Sequence, residues 1–353
     1  MDRKEKYGFR TAHAAAFAMV SLLALPLIAT PAQAGGTMRI ALLSGEDDED
    51  YDGALVLKNY VESRTDGDIT VEIFPGGQFC GSYRECLEAV SNGTLQGAIS
   101  TIGGFGNLFP EAQVMDLPYM FANDRVAECV FDGPFVAELR DGVLEKIPGL
   151  RLMTIGNTGG WRNIATTSKQ VKTPEDVKGL KLRTIPADIQ QEMVRQMGGN
   201  PTPIAWTEVY TSLGTGVVEG TKNGITDIIN MNFQDHLKYI VLDGHAYMGA
   251  LWWLSEDFWE GLSDEEKRVV YDGFQHLKTI TRALPMRQEI DAYKEFEDAG
   301  GEVYVPTPEE KQAFKDATSG MKDWYVQQYG DVWLTKLNNA ISTCNDMIAA
   351  ELQ

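Results

Sequence analysis

Apolar and polar positions follow two rhythms along the first third of the chain. Met38–Leu43 and Gly97–Thr101 are short apolar runs, Ile69–Phe74 alternates apolar with polar residues, and all three read as strands. Between them Tyr51–Arg64 and Tyr83–Val90 carry apolar residues at helical spacing. A β-α-β-α-β order predicts a parallel sheet with helices on its faces. Ligands of such sheets collect at loops beyond the strands' carboxyl ends. Here those loops are Ser44–Asp50 and Ser100–Phe105, which makes Thr101 a candidate contact.

The rhythm changes near Thr158–Arg162. Leu152–Ile155 and Asn163–Thr166 read as two strands flanking the glycine-rich stretch Gly156–Gly160, where a crossover between domains is expected. Thr173-Pro-Glu-Asp176 is a capping box with proline at the first helical position. It leads to a strand over Lys181–Thr184, a helix over Ile189–Met197 stopped by Gly198-Gly199, and extended chain over Pro201–Ala205. Thr207 suits the cap of a helix through Leu213, and Ala250–Leu254 reads as a buried strand. Ser263-Asp-Glu-Glu266 opens a periodic stretch to about Asp298, a helix about 50 Å long with a kink expected at Pro285. Thr307-Pro-Glu-Glu310 starts another helix, and Asp331–Glu351 is the last.

The N-terminus sets the compartment. Arg3, Lys4, Lys6 and Arg10 precede an apolar stretch, Ala14–Ile28, and Ala32-Gln33-Ala34 is a small-x-small cleavage site. Residues 1–34 are therefore expected to be a secretory signal, too short in its apolar part to anchor. Removing four basic and two acidic residues takes the formal charge from −20 to −22. Such a chain has no cluster of Lys and Arg for nucleic acid or for an anionic bilayer. Four cysteines in an exported protein point to disulfides. Three pairings are open; the closeness of Cys80 and Cys86 favours a clip between them, leaving Cys129 for Cys344.

No catalytic or metal signature emerges. His236, His245 and His276 have no ligand spacing, CxxC is absent, and no cofactor is expected. Gly214-Thr-Gly216-Val-Val-Glu-Gly220 resembles a dinucleotide fingerprint, but a capped helix precedes it where a buried strand is required. The run Glu46–Asp50 reads either as a solvated loop or, lying at a strand's carboxyl end, as part of a site. Arg162 follows the glycine-rich crossover, and Arg183 sits among apolar strand residues, where its charge requires a partner. Two partners are open: a protein carboxylate, or the carboxylate of a ligand held in the guanidinium fork.

A family resemblance bears on that choice. Thr173-Pro-Glu-Asp-Val-Lys-Gly-Leu-Lys-Leu-Arg183, Gly199 to Tyr210 with its Trp-Thr-Glu-Val-Tyr, and Gly216 to Asn223 together resemble the DctP-like solute-binding proteins of tripartite ATP-independent periplasmic (TRAP) transporters. Phe74-Pro-Gly-Gly-Gln78, Asp116-Leu-Pro-Tyr-Met-Phe121 and Phe258 to Glu266 extend the likeness over nearly all of the chain after the leader.

The resemblance implies an α/β periplasmic binding fold of two lobes, with parallel and mixed sheets and a long helix crossing both. Residues 35–159 with about 249–288 would form one lobe, and 160–248 with about 289–353 the other. A small organic acid would be trapped between them. Arg183 would make the main salt bridge, Arg162 and Asn223 would add hydrogen bonds, and Trp206 would lie against the ligand. The protein would be a periplasmic monomer, not an enzyme, delivering its ligand to the membrane subunits of a TRAP transporter. Competing readings are an exported lyase or hydrolase acting on a small acid, and a sensor of the same fold. The chain departs from the family at Thr221-Lys222-Asn223-Gly224, usually Gln-Glu-Asn-Pro. Lys222 then either meets a further acidic group of the ligand or points to solvent. Cys80 and Cys86 also replace a glycine and an aliphatic residue, and the acidic run would meet a cationic group if the ligand is zwitterionic.

Overall fold

The computed structural model describes residues 35–351, so the expected leader lies outside the described residues. The strands are β1 (Gly36–Ala41), β2 (Ile69–Phe74), β3 (Gly97–Thr101), β4 (Leu150–Thr166), β5 (Lys181–Thr184), β6 (Asn200–Pro203), β7 (Gly220–Asn223), β8 (Tyr239–Ser255) and β9 (Glu302–Tyr304). They form one mixed sheet in the order β2-β1-β3-β8-β4-β7-β5-β6, with β9 beside β8. β1 runs parallel to β2 and β3, as their alternation with helices predicts. A second parallel group, β5 with β6 and β7, lies at the other end. Two 17-residue strands, β4 and β8, pair antiparallel with each other and join the groups.

Those two strands depart from expectation. The glycine-rich stretch does not separate two strands; β4 runs straight through it. Around the glycines, pairing steps from Asn157↔Gly249 to Trp161↔Tyr247, a bulge in β4, and then from Arg162↔Ala246 to Ile164↔Val241, a bulge in β8; β4 also slips by one residue nearer its start, between Leu152 and Thr154. Gly159 (φ 83°) and Gly160 (φ 82°) supply the left-handed backbone that the first bulge needs. β8 begins at Tyr239 rather than Ala250, because Leu242–His245 are taken up by the second bulge.

The helices are α1 (Glu49–Arg64), α2 (Tyr83–Ser91), α3 (Ile102–Phe105), α4 (Asp124–Asp132), α5 (Pro134–Lys146), α6 (Pro174–Val177) and α7 (Asp188–Gln196). They continue with α8 (Val209–Gly214), α9 (Ile225–Asn230), α10 (Glu256–Gly261), α11 (Asp264–Asp298), α12 (Pro308–Ala317), α13 (Met321–Tyr329) and α14 (Val332–Glu351). A 3-10 turn, Trp206–Glu208, leads into α8 where Thr207 was expected as the cap. Gly214 therefore ends a helix, and the glycines after it form a turn into β7. α11 spans 35 residues as one element through Pro285, roughly 52 Å at 1.5 Å per residue.

The acidic run is not a solvated loop. Only Glu46 and Asp47 are exposed; Asp48 caps α1 by accepting the Asp50 N–H at 3.0 Å, and Glu49 and Asp50 lie buried in its first turn. Negative side chains there meet the positive end of the helix dipole.

Strand alternation divides the core. Met38, Ile40 and Leu42 face α1 and α11 through Leu57, Val61, Phe274 and Leu277. Ala41 and Leu43 face the opposite side, in the apolar cluster that includes Leu87 and Val90 of α2. Disulfides join Cys80 to Cys86 and Cys129 to Cys344, the pairing the spacing favours. The second ties α14 to α4, and α14 also packs on α5. The expected division into lobes places α14 apart from both.

Candidate ligand-binding site

The strand register brings the two parallel groups to one place. Thr101, at the carboxyl end of β3, pairs with Ala250, which pairs across with Gly156. Asn223, at the carboxyl end of β7, pairs with Asn163. Both groups thus aim their carboxyl ends at the same middle stretch of β4, and a cavity of about 20 Å³ lies there. Arg162, Arg183, Thr101, Asn223 and Trp206 line it. A second cavity, about 210 Å³, shares Leu43, Tyr83, Arg183, Ile185 and Trp206 with the first.

Both arginines are buried. Arg183 donates from Nε to the Ile204 carbonyl at 3.0 Å, and its guanidinium lies 5.7 Å from the Trp206 ring centre. Burial, and then the Arg162 charge, push its pKa down to about 9. Arg162 donates from Nη1 to the Lys222 carbonyl at 3.0 Å, while its Nε has no partner. Among the described residues neither guanidinium has a carboxylate oxygen within 4.0 Å. That removes the protein-carboxylate alternative for both arginines.

Asn223 is fixed at both ends of its amide. It donates to Asp227 Oδ2 at 2.9 Å and accepts from Thr221 Oγ1 at 2.7 Å. Thr101 Oγ1 accepts the Gly104 N–H at 3.1 Å, capping α3 and leaving its own hydrogen free to donate. Lys222 meets neither expectation. Its ammonium donates to the Gln190 carbonyl at 3.1 Å and to Gln190 Oε1 at 2.6 Å, buried on the far side of β7 from the cavity. Burial pushes its pKa down to about 7. Alternation of side chains along a strand is the cause: with Asn223 turned to the cavity, its neighbour turns away.

The opposite wall is acidic. Asp48, Asp50 and Asp227 line the cavity, and Glu49 lies beside them, accepting the Gly159 N–H. One carboxylate oxygen from each of Asp48, Glu49 and Asp227 lies within 4.8 Å of the others. Burial raises the pKa of all four carboxyls, Glu49 and Asp50 strongly and Asp227 to about 7, and repulsion from Asp48 adds to the effect on the other three. Gly159 and Gly224 make this wall possible. A Cβ on Gly159 would lie 2.7 Å from Asp227 Cγ, and one on Gly224 would lie 1.5 Å from the Gly159 oxygen. Asp48 and Asp50 bear out the site alternative for the acidic run, whereas Asp227, Thr158 and Tyr83 are cavity residues that sequence reasoning did not single out. The usable signal for the run was the placement of Glu49 and Asp50, acids suited to a helix's first turn at a strand's carboxyl end.

Two parallel strand groups converging on a charged cavity, with buried arginines left free, define a protein that holds a small solute. Residues 41–328 match the DctP family model, described as bacterial extracellular solute-binding protein, family 7, and the chain belongs to that family, the solute-binding proteins of TRAP transporters. It is 28% identical over 310 residues to a solute-binding protein of Verminephrobacter eiseniae, covering 88% of this chain and 90% of the relative. It is 26% identical to the 2,3-diketo-L-gulonate-binding periplasmic protein of Escherichia coli, covering 86% and 91%. A TRAP periplasmic solute-binding protein from Sulfitobacter, solved with bound β-D-galacturonate, superposes with a TM-score of 0.81 at 26% identity, covering 87% of this chain and 99% of that one. No described helix is long and apolar enough to cross a membrane.

Proposed function

We propose that the protein captures a small organic acid in the periplasm and delivers it to the membrane subunits of a TRAP transporter. One observation carries the reading: Arg162 and Arg183 are buried in one cavity with no carboxylate of the described residues within 4.0 Å of either. A buried guanidinium without a counter-ion is costly, and a ligand carboxylate in a bidentate pair offsets that cost. Arg183 provides the main salt bridge, Arg162, Asn223 and Thr101 add hydrogen bonds, and Trp206 presents its face. Lys222 acts indirectly, its backbone carbonyl holding Arg162. Relatives described as binding sugar acids support the chemical class.

In this reading residues 1–34 are a leader removed after Ala34, and the monomer closes two lobes over its ligand. The lobes are 35–159 with about 249–288 and 160–248 with about 289–353, except that the Cys129–Cys344 bond argues for counting α14 with the first. No chemistry is performed on the ligand. A thermal-shift screen over monocarboxylates, dicarboxylates and sugar acids tests this, since a tight binder stabilises in proportion to RT ln(1 + [L]/Kd). The expected hit raises the melting temperature and is recovered unchanged by mass spectrometry. Turnover of the hit would favour the enzyme reading, and a screen without any carboxylate hit would refute the proposal.

A further inference from the structure

We infer that the ligand is a zwitterion, its carboxylate taken by Arg183 and Arg162 and a cationic nitrogen taken by the acidic wall of Asp50, Asp227 and Asp48. This rests on the reading that the cavity binds a small carboxylate, and adds a second charge to it. The first ground is separation. Cations and carboxylates line the same small cavity, yet among the described residues neither of its two guanidiniums lies within 4.0 Å of a carboxylate oxygen. Guanidiniums and carboxyls that each lack a counter-charge, left apart across one cavity, match a dipolar molecule that brings both, whereas a plain anion would supply only one of them.

The second ground is a list of acceptors. Asp48 accepts the Asp50 N–H at 3.0 Å, Glu49 Oε1 accepts the Gly159 N–H, and Asp227 Oδ2 accepts from Asn223 at 2.9 Å. Asp50 Oδ1 is buried and has no partner, in a side chain that lines the cavity and is 2% exposed. Glu49 Oε2, just behind it, is likewise unpartnered. An ammonium brings three N–H donors, which suits a few unused acceptors. A calcium ion needs six to eight oxygens, and three of the oxygens here are already spent on N–H groups.

Matched pairs differing only in the nitrogen test this on the purified protein by calorimetry: 4-aminobutyrate against butyrate, aspartate against succinate, and proline against cyclopentanecarboxylate. The expected result is that the bound amino acid exceeds its nitrogen-free partner by roughly 30-fold or more in affinity. Asp50→Asn should shrink that gap by weakening the amino acid alone, while Arg183→Met should abolish both. If the plain acid of every pair binds as well as its partner and still depends on Arg183, the zwitterion falls and the carboxylate reading stands. If plain acids bind only with added calcium and lose affinity with chelator, a metal is the occupant and the inference is overturned. If no member of any pair binds, this inference and the organic-acid reading both fall.

Discussion

Replacing Arg183 with methionine separates a ligand anchor from a structural charge, because the two roles predict opposite effects on the ligand-free protein. Lowering the guanidinium's pKa from 12.5 to about 9 costs the charged form on the order of 5 kcal/mol, at about 1.4 kcal/mol for each tenfold change in proton affinity. At neutral pH, below that value, the penalty is present in full. Against it stand the hydrogen bond to the Ile204 carbonyl, whose loss costs about 1–3 kcal/mol, and the contact with Trp206, worth about 1 kcal/mol. Methionine fills most of the volume without the charge. The ligand-free variant should therefore melt at the wild-type temperature or a few degrees above it. Ligand binding should lose at least about 3 kcal/mol, roughly 150-fold in Kd. Calorimetry and thermal melting on the same preparation read both quantities. A Kd within about fivefold of wild type, or a ligand-free melting temperature lower by more than about 5 °C, would refute the reasoning.

Other expectations follow from the same structure. Asp227 has its pKa raised to about 7 by burial, so the folded state holds a proton that the unfolded chain releases near pH 4; ligand-free stability should fall as pH rises from 4 to 7, and Asp227→Asn should flatten that slope in melting curves. Gly159→Ala adds left-handed strain of about 1–2 kcal/mol and a Cβ 2.7 Å from Asp227 Cγ; Gly160→Ala adds strain alone. The first should lower the melting temperature more than the second and should also weaken binding, and equal effects would contradict the contact. Cys344→Ser opens a loop of 215 residues, worth about 5 kcal/mol on chain-entropy grounds, against about 2 for the six-residue clip broken by Cys86→Ser. Limited proteolysis of Cys344→Ser should begin in α14, and cleavage starting elsewhere would show that α14 stays docked without the bond.

Much of the fold was legible where local pattern and tertiary use agree. Ile69–Phe74 alternates because one face of β2 is buried, and Ser263-Asp-Glu-Glu266 caps α11 through the Ser263 N–H to Glu266 Oε2 bond at 2.8 Å. The central strands were legible only in part, since Gly156–Gly160 and Asp243-Gly244-His245 look like breaks. Antiparallel ladders absorb such residues as bulges, which no local pattern reveals. Arg162, Arg183, Asn223, Trp206 and Thr101 do gather at one cavity. Lys222 does not, and the period of two along β7 was enough to say that it and Asn223 cannot face the same way. Asp227 lay beyond reach because it enters the site through Gly224 and Gly159, a backbone contact between residues 65 positions apart.

The paired strands β4 and β8 have a mechanical consequence. Both parallel groups are grafted onto the same two ribbons, so the sheet crosses the cavity without a swivel of free chain. Any change of angle between its ends must be stored as flexure in those ribbons, concentrated where the ladder steps at Asn157–Trp161 and Arg162–Ile164. On the proposed two-lobe reading, closure over a solute would load these ribbons as a leaf spring, and the stiffness of those two bulges would set how readily the cargo is let go.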